Sequence, residues 1–288
     1  MTIVVERVGL TTVQDSGRIG WAHLGVPRSG AADLTSFQLA NRLVGNHPHA
    51  AALETSGGLS LRMRDDTVVV VTGADCDATV DDLPLARCEA TRVRANSIVR
   101  LSRMRSGVRA YVAVAGGITA SPQLGSLAHD TLGDIVAVPL AVGALLTVGT
   151  PQRPPSSVDV PITPQHRSRL RLAPGPHVSL LSSPQRAAVT RHIWRVSETS
   201  NRVAVRLTSA TLAHDVFRPA LPEVLSLPLV RGAVQLAPSG ELIVMLADHP
   251  TTGGYPVIAV LHTSDLDDLA QRPPTSSVQF DWTSLPTG

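Results

Sequence analysis

Short runs of β-branched and aliphatic residues, cut apart by glycine and proline, recur from one end of this chain to the other. They occur at residues 3–8, 67–72, 109–115, 145–148, 169–172, 178–181, 202–207, 242–246 and 257–261, with a weaker alternation over 278–282. The run at 67–72 reads TVVVVT. A strand that is apolar at every position has to be covered on both faces. The 22 glycines and 22 prolines fall largely between such runs, at the spacing of turns. Helical patterns are few. Residues 32–44 form the best, with Asp33 as cap, Leu34, Phe37, Leu43 and Val44 as an apolar stripe, and Gly45-Asn46 as stop. Residues 184–194 form a second, with Ser183 as expected cap and Pro184 in the first turn. Residues 265–270 form a third, short one, stopped by Pro273-Pro274. Many short strands and few helices point to a mainly β chain, a barrel or sandwich with attached helices.

Length and composition narrow the function classes. A chain of 288 residues can bury roughly 75% of its unfolded surface, so it needs no disulfide or metal to fold. Residues 150–164 (TPQRPPSSVDVPITP) are Pro- and Ser-rich and read as a linker. The chain is thus either one unit over 1–288 or two lobes split near 150–165. A formal net charge of +2 and 3% aromatic residues give no pull toward nucleic acid or anionic membrane. No apolar run approaches the roughly 18 residues of a membrane span, and Glu6 falls where a signal peptide would be apolar. The expectation is a soluble, cytoplasmic protein.

The basic residues carry a further exclusion. All 25 are arginine, and the sequence has no lysine. A lysine Schiff base, a P-loop lysine and a Ser-Lys dyad are therefore ruled out. An anion held by this chain is held by arginine forks, by backbone N–H groups or by a metal. Cys76 and Cys88 form no CxxC, and two cysteines in a chain this long read as reduced thiols.

Polar residues concentrate in a few blocks. Residues 11–21 (TTVQDSGRIGW) expose an amide, a carboxylate and a guanidinium within Gln14–Arg18. They read either as a site or as a turn in which Asp15 bonds backbone N–H groups and pairs with Arg18. Residues 25–30 (GVPRSG) precede the best helix and either aim N–H groups at an anion or merely start a capped helix. Glu54 is a lone acid before a Gly-rich turn. Residues 248–255 (DHPTTGGY) follow a strand. Thr251, Thr252, Gly253 and Gly254 there offer an anion-binding nest or a structural turn, with Asp248 as a base or ligand and Tyr255 as a donor. The ten histidines show no HExxH; His47 and His49 flank Pro48, and His129-Asp130 and His214-Asp215 are isolated, so no metal site is expected. No GxSxG elbow is present.

Ten blocks in order resemble one family: TTVQDSGRIGW (11–21), GVPRSGAAD (25–33), ANRLVGN (40–46), VTGA (71–74), YVAVAGG (111–117), LGS (124–126), APGP (173–176), SNR (200–202), GAVQLAPSG (232–240) and TTGGYP (251–256). Together they are similar to the biotin-dependent carboxyltransferase-domain family. That family includes the C-type component of bacterial ATP-dependent 5-oxoprolinase, the sporulation kinase-inhibitor antagonist and half of the urea carboxylase carboxyltransferase domain; many members bear the label allophanate hydrolase subunit 2.

The resemblance implies a cyclophilin-like closed β-barrel with a smaller β lobe and a few short helices. It also implies a component that works as a heteromer with a B-type, kinase-inhibitor-like homologue, and with an A-type homologue, on a small lactam or amide. The implied reaction is ATP-dependent opening of 5-oxoproline to glutamate, with ATP accompanied by Mg. Two other readings stay open: a non-catalytic partner that antagonises a kinase-inhibitor homologue, and a urea carboxylase-like carboxyltransferase, which alone would need biotin. Mapped onto this chain, Arg18, Ser29, Gly30, Thr252, Gly253 and Gly254 would bind phosphate or substrate carboxylate. Asp15, Glu54 and Asp248 would position metal-bound nucleotide or act as base. Gln235 and Tyr255 would bond the substrate amide, and Asn201 and Arg202 would close the site. The chain departs from the family pattern at several points. Leu127-Ala128-His129-Asp130 stands where Arg-Ser-Thr-Asp is usual, and His249-Pro250 where Arg-Gln is usual. Val203-Ala204 replaces Met-Gly, and Arg272-Pro273-Pro274-Thr275 replaces Arg-Pro-Gly-Asp.

Overall fold

A computed structural model describes residues 1–156, 167–209, 216–217 and 221–283. The chain divides into two units, Met1–Ile19 with Ser29–Pro164, and Gly20–Arg28 with Gln165–Gly288.

In the first unit the strands are β1 (Thr2–Arg7), β2 (Thr11–Gln14), β3 (Ala52–Thr55), β4 (Leu59–Met63), β5 (Thr67–Val80), β6 (Leu83–Pro84), β7 (Thr91–Val93), β8 (Ile98–Val114), β9 (Ile118–Thr119) and β10 (Leu145–Val148), with helix α1 (Leu34–Val44) between β2 and β3. The main path of the sheet runs β2-β3-β8-β4-β1-β10-β9. Ala51, just ahead of β3, bridges to Ile118 of β9. That bridge brings the far end of the path back to β3, so the sheet nearly closes into a barrel. Its interior holds Ile3, Val5, Leu53, Leu61, Val99 and Val112, all fully buried.

The valine run is only the start of a strand. β5 continues to Val80 and pairs with the 17-residue β8, with register shifts between Gly73 and Ala78. Gly73 has φ +81, and a Cβ there would lie 2.5 Å from the Arg109 carbonyl oxygen. The bulge therefore needs glycine, and it bends the hairpin so that β8 meets β3 with one end and β4 with the other. Val69 and Val71 enter the barrel, while Val70 lies under α1 with Tyr111 and Ala113. Both faces of the run are covered, as its composition requires. Helix α1 turns Phe37, Ala40, Leu43 and Val44 onto this outer face. Asp33 caps it by accepting from Ser36 N, and Gly45 ends it at φ +83.

In the second unit the strands are β11 (Leu170–Pro174), β12 (Trp194–Val196), β13 (Ala204–Thr208), β14 (Leu227–Pro228), β15 (Ala233–Leu236), β16 (Leu242–Met245), β17 (Thr252–Gly253), β18 (Val257–Leu261), β19 (Ser277–Val278) and β20 (Phe280–Trp282), with helices α2 (Ser183–Arg191) and α3 (Leu266–Ala270). The larger sheet is ordered β19-β12-β13-β16-β15-β18-β11-β20, and β14 pairs with β17 separately. Ala204, Ala233, Ile243, Met245 and Val257 form a buried cluster on its central strands.

Three expectations are corrected. The run at 178–181 is not a strand: Val178–Leu180 is a 3-10 turn closed by Val178 N–H to Gly175 O and Leu180 N–H to His177 O. The turn signal of Gly175-Pro176 overrides three apolar residues. Helix α2 is capped by Ser182, not Ser183, in a reciprocal capping box with Gln185. It stops at Arg191, because Trp194 opens β12 and donates its Nε1–H to Val189 O. Of the expected linker, residues 150–156 are irregular, and 157–164 lie outside the described residues.

Candidate functional site

The expected site residues fall into two sets, one in each unit. In the first unit Asp15 sits at the end of β2, where the chain turns. Its Oδ1 accepts from Gly17 N (2.7 Å) and from the Ser126 hydroxyl (2.7 Å), and its Oδ2 accepts from Leu127 N (2.7 Å). The carboxylate thus ties the 14–18 turn to the 126–130 segment. Arg18 is buried and donates through Nη2 to the Ala128 carbonyl. Asp15 and Arg18 each reach out to the same neighbouring segment.

Gln14 donates through Nε2 to His129 O (3.0 Å) and Thr12 Oγ1 (2.9 Å). The 28–33 segment closes over the same turn. Gly30 has φ +88, and a Cβ there would lie 2.8 Å from Gly17 N, so only glycine fits. Ala31 N donates to Asp15 O (2.9 Å). Ser29 is also left-handed, at φ 55.

Glu54, on β3, is 4% exposed. Its Oε2 accepts from Ala32 N (2.9 Å) and from the Tyr111 hydroxyl (2.8 Å), and Arg109 Nε lies 3.6 Å from Oε1. The Tyr111 oxygen in turn accepts from Asp33 N (2.7 Å). Burial, and then the Glu54 charge, push the Tyr111 phenol well above its ordinary range, so it remains a donor. One carboxylate and one phenol therefore fix successive amides at the mouth of α1.

Three buried polar atoms around this turn make no hydrogen bond among the described residues: Gln14 Oε1, Ser29 Oγ and Asp130 Oδ2. Asp130 is fully buried, and its other oxygen accepts from Leu132 N (3.0 Å). A buried polar atom without a partner costs about 1–3 kcal/mol. All three lie on segments tied to this one turn.

In the second unit Asp248 is fully buried and faces Arg202: Nε to Oδ2 is 3.0 Å and Nη2 to Oδ1 is 3.0 Å. Asn201 Oδ1 accepts from Val203 N (2.8 Å) and Ala204 N (3.2 Å), holding the turn that leads into β13. Gln235 Nε2 donates to Tyr255 O (3.1 Å). A Cβ on Gly253 would lie 2.6 Å from that same Nε2. Tyr255 is 45% exposed. Of the two readings of this block, the nest does not form. Thr252–Gly253 is extended and pairs with Leu227–Pro228, and neither Gly253 nor Gly254 has a positive φ. A nest needs successive N–H groups from residues of opposite hand, which a strand does not supply.

Next to Asp248 stands His249, 8% exposed, with Nδ1 2.8 Å from Pro250 O. A carbonyl only accepts, so Nδ1 carries the proton and Nε2 keeps its lone pair. Burial first, and Arg231 with it, hold the imidazole below its usual pKa, against the opposing pull of the Pro250 hydrogen bond and then of Asp248.

Sequence reasoning assigned no role to Tyr111, Gln14, Ser126, Asp130 or His249. A signal existed for several. Tyr111 is one of two tyrosines. Asp130 is the acid kept where the three residues before it depart from the family pattern. His249 stands where that pattern has arginine. Among the described residues no group of three or more His, Cys, Asp or Glu is placed to hold a metal ion. His47 and His49 lie with ring centres 5.2 Å apart, and His49 Nδ1 is 2.5 Å from Ser16 Oγ. His214 and Asp215 lie outside the described residues. Both cysteines are free thiols. No described helix is long and apolar enough to cross a membrane.

Comparison with known proteins gives a consistent result. Residues 24–282 match the family model described as carboxyltransferase domain, subdomain A and B. The chain is 35% identical to the 5-oxoprolinase C chain of Escherichia coli (strain K12), over 98% of this chain and 91% of that protein. It is 29% identical to urea amidolyase of Saccharomyces cerevisiae, over 94% of this chain and 16% of that protein. Among solved structures, TTHA0988 matches with a TM-score of 0.84 and 33% identity over 97% of this chain, and K. lactis urea amidolyase with 0.86 and 26% over 97%. This chain spans 55% of the TTHA0988 chain and 18% of the K. lactis one.

Proposed function

The chain belongs to the family described as carboxyltransferase domain, subdomain A and B. From that membership we propose that it is the C-type component of an ATP-hydrolysing amidohydrolase that opens 5-oxoproline, or a related cyclic amide, to glutamate. It works in this reading as a heteromer with B-type and A-type components. One observation carries the choice within the family. The chain is nearly coextensive with the E. coli 5-oxoprolinase relative, whereas it spans 16% of yeast urea amidolyase.

A lactam carbonyl is a poor electrophile. ATP is a co-substrate in this reading: its γ-phosphoryl group passes to the lactam carbonyl oxygen with release of ADP, the carbonyl carbon is thereby activated toward water, and phosphate leaves as the ring C–N bond opens. The chain's own residues bind and orient. The Ser29 hydroxyl, buried without a partner, fits a phosphate or carboxylate oxygen, and Gly30 lets its loop pack against the Asp15–Gly17 backbone. Arg18 supplies positive charge at the same turn. Gln14 Oε1 and Asp130 Oδ2 are acceptors and suit the N–H side of a cyclic amide. The Ala32 and Asp33 amides are held by Glu54 and Tyr111. We therefore assign Glu54 to positioning the Ser29–Gly30 loop.

In the second unit Asp248 is engaged by Arg202 through both oxygens, so we assign this pair to holding the Asn201 turn. The described residues supply no metal-ligand set, so Mg would arrive with the nucleotide.

The test is reconstitution. The chain is combined with its B-type and A-type partners, and glutamate formed from 5-oxoproline is measured with and without ATP. ATP-dependent glutamate supports the reading. A stable complex that turns over nothing returns attention to the regulatory partner. The likeness to K. lactis urea amidolyase favours one other reading, carboxyl transfer. The chain has no lysine to carry biotin, so that reading requires a separate biotinylated carrier. Transfer of labelled carboxyl from such a carrier would establish it.

A further inference from the structure

The first unit contains a cleft of about 940 Å³ away from the Asp15 turn, lined by Asp66, Val68, Arg92, Arg94, Ala115 and Thr150 among others. We propose that it is a second binding site, for a small organic phosphate with an apolar body.

Val93 is 2% exposed and points into the barrel. The residues on either side of it, Arg92 and Arg94, therefore project together toward the other face. Arg92 is the cross-strand partner of Val68, and the backbone of Ala115 donates to Val68 O (2.9 Å). Two guanidinium groups thus stand over an apolar floor of Val68 and Ala115. Gly149, Pro151 and Pro155 form the facing wall.

Charge identifies the occupant. Arg62, Arg100, Arg105 and Arg109 elsewhere in this unit each lie within ion-pair distance of a carboxylate. Arg92 and Arg94 have none among the described residues, as is true also of Arg7, Arg42, Arg64, Arg87 and Arg103; what sets Arg92 and Arg94 apart is that both line this one cleft. The one carboxylate in the lining, Asp66, accepts from Ala95 N (2.8 Å) and so holds the turn after Arg94. Two adjacent guanidinium forks offer paired N–H donors to a tetrahedral or doubly charged head group. The volume is that of a site for a nucleotide-sized ligand. Apolar walls suit a ring or chain behind the head. Nothing in this site depends on the reaction proposed above.

Inorganic pyrophosphate and citrate are the probes, titrated into the full chain by calorimetry. Wild type is compared with the double variant Arg92→Ala/Arg94→Ala. Both side chains are exposed, and the variant is expected to melt at the wild-type temperature. Saturable pyrophosphate binding that weakens at least tenfold in the variant, with a shallower dependence on salt, supports the site. Equal affinity in the two proteins overturns it, because binding then lies elsewhere, at Arg18 for example. Absence of saturable binding below about 1 mM overturns it as well. Variant-sensitive binding of citrate but not pyrophosphate overturns the phosphate assignment. In the reconstituted complex the variant keeps 5-oxoproline-dependent turnover, which separates failure of this site from failure of the proposed function.

Discussion

Arg202 grips Asp248 through two parallel contacts of 3.0 Å, with the acid fully buried and the arginine side chain 11% exposed. Removing one partner strands the other charge away from water. Asp248→Ala is expected to destabilise the protein by about 3–5 kcal/mol. The double variant Arg202→Met/Asp248→Leu is expected to recover most of that, since an apolar pair of similar size avoids the desolvation cost. Guanidinium unfolding midpoints of the three proteins check this. A double variant no more stable than Asp248→Ala would contradict this.

Tyr111 gives a spectroscopic prediction. Its hydroxyl lies between Glu54 Oε2 and Asp33 N, and burial with the Glu54 charge holds its proton. In a Tyr255→Phe protein Tyr111 is the only tyrosine. Phenolate absorbance should then stay absent at about pH 11 and rise only with alkaline unfolding. Tyr111→Phe should cost about 1–3 kcal/mol by leaving the Asp33 amide without its acceptor. It should also lower turnover of the complex, because the Ser29–Gly30 loop loses one of its two anchors.

His249 makes stability depend on acid. Its folded pKa lies below the ordinary 6.5, so the unfolded chain binds the proton more readily. The neutral ring costs nothing above about pH 6.5, and stability falls as pH drops from there through the folded value. The melting temperature should decline between about pH 7.5 and 5.5 more steeply in wild type than in His249→Gln. Parallel declines would remove this histidine from the account.

The two thiols are expected to be sluggish. Burial, with Asp75 and Asp77 adding to it, pushes Cys76 up to about 11, and burial raises Cys88. The thiolate is the reactive form, so alkylation of Cys76 at about pH 8 should run roughly two orders of magnitude slower than that of an unfolded cysteine. Time-resolved mass measurement after iodoacetamide treatment checks the rate. Labelling of the folded protein at the unfolded rate would contradict the burial.

Much of the fold is legible in the sequence because period and punctuation are local. The valine run at 67–72, the Asp33 cap and the Gly45 stop all act within a few residues. The extension of β5 to Val80 and of β8 back to Ile98 is not legible. Those halves are polar and half-exposed, and only pairing with each other makes them strands. The 178–181 run misleads for the converse reason, since a turn signal outweighs three apolar residues. At the site, Gly253-Gly254 leaves a nest and a structural turn both open in the sequence, and pairing with the distant Leu227–Pro228 decides against the nest. The partners of Asp15 and Asp248 are 112 and 46 residues away, beyond any spacing rule. The resemblance places these residues in order; it does not say which of them are already engaged.

The central claim is best tested on the complex purified through the unaltered chain, with ADP and glutamate measured together as 5-oxoproline is added. The account predicts that both appear only with 5-oxoproline and ATP present, one ADP for each glutamate. It predicts as well that Glu54→Gln, with its loop anchors weakened, lowers the two in step while the complex stays assembled. ADP release indifferent to 5-oxoproline, or a complex that instead moves carboxyl groups from a biotinylated carrier, would contradict it.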